Sequence, residues 1–146
     1  MPELDDSIYA KIRDLCDRGD SLADDGHLAE ALQSFWSAWD LLPEPKTAWE
    51  AATWILAAIG DVNFQQGDFG AGRDNLATAM HCPDAIGNPF LHLRLGQCQF
   101  ELSNIDRAAD ELARARLLGG PELFEDEDPK YLEFVMGRLE EPPGGW

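Results

Sequence analysis

A pattern of small residues recurs three times along the chain, and it constrains the fold more than any other sequence feature. Each copy has a glycine, a second small residue twelve positions later, a large apolar residue four positions after that, and an alanine three positions further on. The copies are Gly19, Ala31, Phe35 and Ala38; Gly60, Gly72, Leu76 and Ala79; and Gly96, Ala108, Leu112 and Ala115. Because spacings of four and three place residues on one face of an α-helix, the second half of each copy predicts an amphipathic helix.

Turn-forming residues separate the two halves of each copy. The intervening stretches read DDGHLAEA, QQGDFGAG and LSNIDRAA. Gly26 and Gly67 can adopt the left-handed backbone conformation that often ends a helix, and Asn104 tolerates it in the third copy. Each copy therefore predicts a helix, a tight turn and a second helix, with the small residues allowing the two helices to approach closely.

The pattern resembles the tetratricopeptide repeat (TPR), whose consensus is W-x2-L-G-x2-Y…A-x3-F…P over about 34 residues. The A-x3-F part is intact at Ala31 and Phe35 and softened in the other copies. The first helices depart more, because Leu15, Leu56 and His92 occupy the position of the expected aromatic residue. The resemblance implies an all-α, TPR-like α-solenoid of three helix-turn-helix repeats plus a C-terminal capping helix.

The expected organisation follows the repeats. It comprises an N-terminal extension over residues 1–8, three TPR-like repeats within 9–118 (about 9–43, 46–83 and 88–118), an acidic loop over 119–128, a capping helix over 129–140 and a disordered tail over 141–146. The central glycines are 41 and then 36 residues apart, so additional residues lie between the first two repeats, around PEPKTAWEAATW. We expect them to lengthen the next helix upstream, past Trp49.

The charge balance is strongly acidic, with 11 Lys and Arg against 28 Asp and Glu and a formal net charge of −17. Nucleic acids and anionic membranes are poor partners for such a surface, since their binding depends on Lys and Arg. A basic protein partner is a better fit, because complementary charge steers association; the alternative is that the acidity only maintains solubility. The chain has no run of eighteen apolar residues and its N-terminus has no signal-peptide pattern, so we expect a cytoplasmic protein.

Reactive side chains form no recognisable site. The sequence contains no zinc-protease, nucleophile-elbow, Walker or dinucleotide motif, so we expect neither an enzyme nor a cofactor. Three widely spaced cysteines, Cys16, Cys82 and Cys98, suit reduced buried thiols. His92 and Cys98 lie six residues apart, which places them roughly 120° apart around one helix, and we expect no metal site there.

The TPR resemblance also implies where a partner would bind. In such repeats the first helices line a concave face, through residues six and three before the central glycine and one and four after it. The partner-binding residues predicted in this way are Arg13, Asp20, Trp54, Asp61, Phe64, Phe90, Leu93, Gln97 and Phe100. The alternative for the aromatic residues, above all Phe64 and Phe100, is that they belong to the core.

A closer resemblance is to small stand-alone bacterial TPR proteins. It is carried by LPEPKTAWEAATWILAAIGD, CPDAIGNPFLHLRLGQC and LFEDEDPKYLEF, which include segments between the repeats and the capping helix. Members of that group are often encoded beside polymorphic or Rhs-type toxins. The resemblance therefore implies an immunity protein that neutralises a basic toxin in a toxin–antitoxin neighbourhood. The alternatives are a secretion chaperone or adaptor for an effector, and a scaffold that associates with itself as a homodimer.

Overall fold

The computed structural model describes residues 4–139, and that part of the chain is built from α-helices. They are α1 Asp6–Asp24, α2 Leu28–Asp40, α3 Glu50–Gln65, α4 Phe69–Ala79, α5 Pro89–Glu101, α6 Ile105–Gly119 and α7 Pro129–Met136. Two 3-10 turns, Lys46–Ala48 and Pro121–Phe124, precede α3 and follow α6. No strand occurs within residues 4–139, and the all-α prediction is confirmed. The tail expected over 141–146 lies outside the described residues. Between residues 4 and 139, no helix has both the length and the apolar character needed to span a bilayer.

The helices form two compact units, the first ending at Ile86 and the second beginning at Gly87. In the first unit α1 packs on α2, α2 on α3, and α3 on α4. In the second unit α5 packs on α6, and α6 contacts α7. Each predicted repeat is thus one packed helix pair, and the predicted capping helix is attached to the last pair.

The central glycine of each repeat is the point of closest approach between the paired helices. A Cβ atom added to Gly19 would lie 2.6 Å from the Phe35 ring, and one added to Gly96 would lie 2.7 Å from Leu112. Gly60 stands in the same relation to Leu76. These distances are shorter than van der Waals contact, so only glycine fits at these positions. The large residue of each repeat fills the space that the missing side chain leaves, which agrees with the sequence pattern.

The turns within the repeats differ slightly from expectation in the third copy. Gly26 and Gly67 have φ angles of 82° and 78°, as predicted. In the third turn the left-handed residue is Ser103, with φ 64°, rather than Asn104. Asn104 instead precedes α6, and its side-chain amide donates to the Gln99 side-chain oxygen at 2.7 Å. That side-chain hydrogen bond holds the third turn without a glycine.

The first helix of the second repeat does not extend upstream past Trp49, contrary to expectation. Helix α3 begins at Glu50, and Trp49 has an extended backbone with φ −99° and ψ 142°. The residues before it form the separate Lys46–Ala48 turn. The extended backbone of Trp49 separates that turn from α3, and the Trp49 indole N–H donates to the carbonyl oxygen of Pro43 at 2.9 Å.

Helix α7 is held to α5 by both apolar and polar contacts. The side chains of Tyr131 and Val135 are buried. The Tyr131 hydroxyl donates to a Glu101 side-chain oxygen at 2.7 Å, and the Lys130 ammonium group lies 2.6 Å from the same carboxylate. The segment before α7, expected as a solvated loop, contains the Pro121–Phe124 turn with Phe124 buried. The Pro121–Phe124 turn therefore packs on the second unit together with α7.

Candidate functional site

A cleft with a volume of about 560 Å³ opens in the first unit. The starts of α1 and α3 form two of its sides, and the segment after α4 forms a third. Its described lining residues are Leu4, Asp6, Tyr9, Ala48, Trp49, Glu50, Ala51, Trp54, Pro83 and Asp84. Aromatic, small apolar and acidic side chains thus surround one space, and we call it the α1–α3 cleft.

Three aromatic residues, Tyr9, Trp49 and Trp54, give the α1–α3 cleft its character. Tyr9 is 44% exposed, and both tryptophans are half-buried. The Trp49 indole N–H donates to the carbonyl oxygen of Pro43 at 2.9 Å, which restricts the orientation of the ring. Partly exposed aromatic side chains that are already ordered bind partners well, because little conformational entropy is lost on association.

Lys46 anchors the segment that carries Trp49. Its ammonium group donates to the carbonyl oxygens of Leu42 at 2.7 Å, Trp39 at 3.2 Å and Asp40 at 3.4 Å. These carbonyls lie at the C-terminal end of α2, where the helix dipole favours a positive charge. Lys46 therefore completes the end of α2 and fixes the loop leading to α3.

Three carboxylates, from Asp6, Glu50 and Asp84, lie around the α1–α3 cleft. Asp6 and Glu50 are in the first turns of α1 and α3, where acidic groups interact favourably with the helix dipole. Asp84 belongs to no helix; it is exposed and adopts a left-handed backbone conformation with φ 60°. No basic side chain is among the described residues that line the cleft.

The partner-binding residues predicted in the first unit occupy different environments. Trp54 lines the α1–α3 cleft, whereas the other four are not among its described lining residues. Arg13 and Asp20 are exposed, and Asp61 and Phe64 are half-buried. Of the partner-binding residues predicted in the first unit, Trp54 is therefore the one that lines the cleft.

Nearby acidic residues affect the pKa of Asp20, which is one of the two acidic residues predicted to bind a partner. Burial raises the pKa of Asp20, and the neighbouring carboxylates of Asp17, Asp24 and Asp61 raise it further. The Gln65 side-chain amide donates to Asp61 at 3.0 Å. The Asp61 carboxylate of α3 is thus one of the negative charges that disfavour ionisation of Asp20 in α1.

Two residues predicted to bind a partner in the second unit are buried instead. Leu93 is 2% exposed, and Gln97 is not exposed at all. The Gln97 side-chain amide donates to Glu127 at 2.7 Å, and Arg94 bonds the same carboxylate. Both side chains are thus buried in this structure, and Glu127 of the segment before α7 contacts Gln97. A partner could reach them only after a rearrangement, and their part in binding stays a prediction.

Phe100 and Phe90 are half-buried. The Phe100 ring lies 5.4 Å from the Tyr131 ring and 5.0 Å from the Phe134 ring, in edge-to-face geometry. Phe100 thus packs against α7, which favours the core alternative for this residue. The Arg94 guanidinium group lies 5.3 Å from the centre of the Phe90 ring.

The cysteines and His92 have structural environments. All three cysteines are buried, and burial raises the pKa of Cys82 and, with Asp20 and Asp17 contributing, raises the pKa of Cys16 to about 11. A raised pKa keeps a thiol protonated and unreactive. His92 is bonded on both ring nitrogens, since the Gly87 N–H donates to Nε2 at 3.1 Å and Nδ1 lies 2.6 Å from Glu111. Within residues 4–139 no group of three or more His, Cys, Asp or Glu side chains could hold a metal ion.

Most of the α1–α3 cleft does not follow from the repeat pattern. Tyr9 and Glu50 lie one helical turn, four residues, before the predicted partner-binding residues Arg13 and Trp54, so the same spacing continued upstream indicates them. Trp49 and Asp84 lie outside the helices, where no periodicity indicates which side chains converge. Those two positions required the structure.

Comparison with known proteins shows similarity of fold. No protein-family model matches the chain, and no curated protein matches its sequence. Among solved structures, it is similar to the Yersinia enterocolitica type III secretion chaperone SycD in complex with a peptide of the translocator YopD. The TM-score is 0.66 at 13% identity, covering 86% of this chain and 89% of that one.

Two further structures share the architecture. PcrH from Pseudomonas aeruginosa gives a TM-score of 0.68 at 15% identity, covering 92% of this chain and 94% of PcrH. The MamA protein gives 0.63 at 17% identity, covering 87% of this chain and 72% of MamA. At such identities the likeness concerns the fold, and it confirms the prediction that this chain has a TPR-like, helical-repeat fold.

Proposed function

We propose that the chain is a non-catalytic protein-binding module, a secretion chaperone or adaptor, that holds an extended segment of a partner protein in the α1–α3 cleft. The observation that carries the proposal is the cleft itself. Its volume of about 560 Å³ falls within the range of roughly 300–1,000 Å³ that is usual for ligand pockets. A space of that size accommodates one or two side chains of a segment rather than a folded domain.

The comparisons support a chaperone in preference to an inhibitor. SycD is a secretion chaperone, and its structure contains a peptide of its translocator. The α1–α3 cleft would serve the same kind of task, since ordered aromatic side chains supply apolar area and the surrounding carboxylates add selectivity. The partner is expected to be basic, because the chain has a net charge of −17.

An immunity protein for a basic toxin is the second candidate. The sequence resemblance to small bacterial TPR proteins encoded beside toxins favours it. Two of the stretches that carry the resemblance, residues 42–61 and 82–98, include Trp49, Trp54 and Asp84 of the cleft. Self-association as a scaffold is the third candidate, and co-expression distinguishes it from the other two.

Co-expression with the product of the adjacent gene tests these candidates. Complex formation without an effect on growth supports a chaperone or adaptor, whereas rescue of a toxic neighbour supports an immunity protein. In both cases the complex should weaken as salt is raised, because charge attraction between exposed groups is screened. A homodimer in solution with no binding of the neighbour would contradict both.

A further inference from the structure

We propose that the α1–α3 cleft receives a basic side chain of the bound segment, with arginine preferred over lysine. The inference rests on the proposed function and adds the chemistry of the residue that is recognised. Three kinds of lining residue carry it: aromatic side chains, carboxylates and small apolar side chains.

The aromatic walls suit a cation. A guanidinium or ammonium group is attracted to the face of an aromatic ring within about 6 Å of its centre, most strongly to tryptophan. Tyr9 of α1, Trp54 of α3 and Trp49 just before α3 line one cleft, and the hydrogen bond to Pro43 restricts the Trp49 ring. A cation in the cleft would therefore lie near several rings, of which the Trp49 ring is held in place by a hydrogen bond.

The described residues that line the cleft include three carboxylates and no basic side chain. Asp6, Glu50 and Asp84 come from three separate segments and converge on the same space. Asp84 has no helix dipole to complement, unlike the other two. The neighbouring Lys46 does not neutralise them, because its ammonium group is bonded to carbonyl oxygens at the end of α2.

The small apolar lining residues suit the stem of either basic side chain, and the head group decides between them. Ala48, Ala51 and Pro83 are small and apolar, so the methylene stem of a long basic side chain can pack on them while its charged group reaches the carboxylates. A guanidinium group is planar, weakly hydrated and able to donate hydrogen bonds in several directions. It can therefore stack on an indole and bond to carboxylates on different sides of the cleft.

Three peptides that differ only in their central side chain test the proposal. The probes are acetyl-Gly-Ser-X-Ser-Gly-amide, in which X is arginine or its uncharged isostere citrulline, with a lysine peptide as a third. Each is titrated into the ¹⁵N-labelled full chain while the tryptophan indole N–H signals are followed. We expect the Trp49 and Trp54 signals to shift, with the arginine peptide binding at least about fivefold more tightly than the citrulline peptide and lysine between them.

Two substitutions that each remove one carboxylate, one at the cleft and one away from it, form a matched pair. Asp84→Asn keeps the shape of the side chain, and asparagine tolerates the left-handed backbone at this position. It should weaken arginine-peptide binding about threefold and leave citrulline-peptide binding unchanged. Asp40→Asn removes an exposed carboxylate that does not line the cleft and should change neither.

Equal binding of the arginine and citrulline peptides would overturn the inference and leave the proposed function standing. Indole shifts confined to Trp36 and Trp39, or no shift with any peptide, would also overturn it. The proposed function fails separately, through the co-expression experiment, if no partner complex forms.

Discussion

At the scale of single residues, the three central glycines determine how closely each helix pair can pack. Gly60 and Gly70 provide a matched test, because both are helical glycines in the second repeat. A Cβ at Gly60 would collide with Leu76, whereas a Cβ at Gly70 meets nothing within 4 Å.

We predict that Gly60→Ala destabilises the protein by about 2 kcal/mol or more, since overpacking a close contact forces side chains and backbone apart. Gly70→Ala should be neutral or stabilising by up to about 1 kcal/mol, because alanine is the better helix former. Urea denaturation monitored by circular dichroism measures both. Equal effects of the two substitutions would contradict the close-packing account.

His92 occupies the consensus aromatic position but acts as a hydrogen-bonding residue. Because the Gly87 amide can only donate, Nε2 must accept and Nδ1 must carry the hydrogen that faces Glu111. We predict the Nδ1–H tautomer, which long-range ¹H–¹⁵N NMR spectra of the imidazole identify directly. Observation of the Nε2–H tautomer would contradict the assigned geometry.

Replacing His92 removes both hydrogen bonds. We predict that His92→Ala lowers the free energy of unfolding by about 2–4 kcal/mol, because it leaves a cavity and two polar groups without their partner. The measurement is again urea denaturation, with His81→Ala as the control, since His81 is exposed. A loss no greater than that of His81→Ala would show that the interactions of His92 contribute little.

At the scale of elements, Glu101 links α5 to α7. Burial acts to raise the pKa of Glu101, but hydrogen bonds from Lys130 and Tyr131 outweigh it and hold the pKa below its usual value of 4.5. A carboxyl group whose pKa is lower in the folded state stabilises that state above its unfolded pKa. The stabilisation is therefore complete well above pH 4.5 and is lost as pH falls through the lowered value.

We predict that α7 begins to detach from the second unit on acidification below pH 4.5, before the helix pairs unfold. Hydrogen exchange of the α7 amides, measured as a function of pH, follows this directly. Glu101→Gln should reduce the protection of α7 at pH 7 and remove its dependence on this titration. An unchanged pH profile in that variant would show that other groups control the docking of α7.

The helix pairs could be predicted from the sequence, whereas the residues that pack over them could not. Helical periodicity predicted the three helix pairs and the glycine contacts, because a helix has a fixed geometry along the chain. It did not predict that Leu93 and Gln97 would be covered, since a pattern shows which face is apolar but not what packs on it. It also missed Trp49 and Asp84, whose positions depend on segments outside the helices.

At the scale of the whole molecule, the net charge of −17 has two opposing effects. Repulsion among like charges weakens the folded chain, while under the proposed function attraction to a basic partner strengthens the complex. We predict that raising the ionic strength from about 0.01 M to about 0.15 M increases the melting temperature of the free chain and decreases partner affinity. Calorimetry of the free chain and titration of the complex measure the two. If the melting temperature and the partner affinity both rise or both fall, charge does not control the two of them.

The central claim is that the α1–α3 cleft is the site where a partner segment binds. Tyr9→Ala and Trp36→Ala test it most directly, because both residues are exposed aromatics, at 44% and 37%, and only Tyr9 lines the cleft. The measurement is the dissociation constant of each variant for the partner obtained by co-expression. We expect Tyr9→Ala to raise the dissociation constant about tenfold and Trp36→Ala to leave it unchanged. Equal dissociation constants for the two variants, or a loss confined to Trp36→Ala, would contradict it.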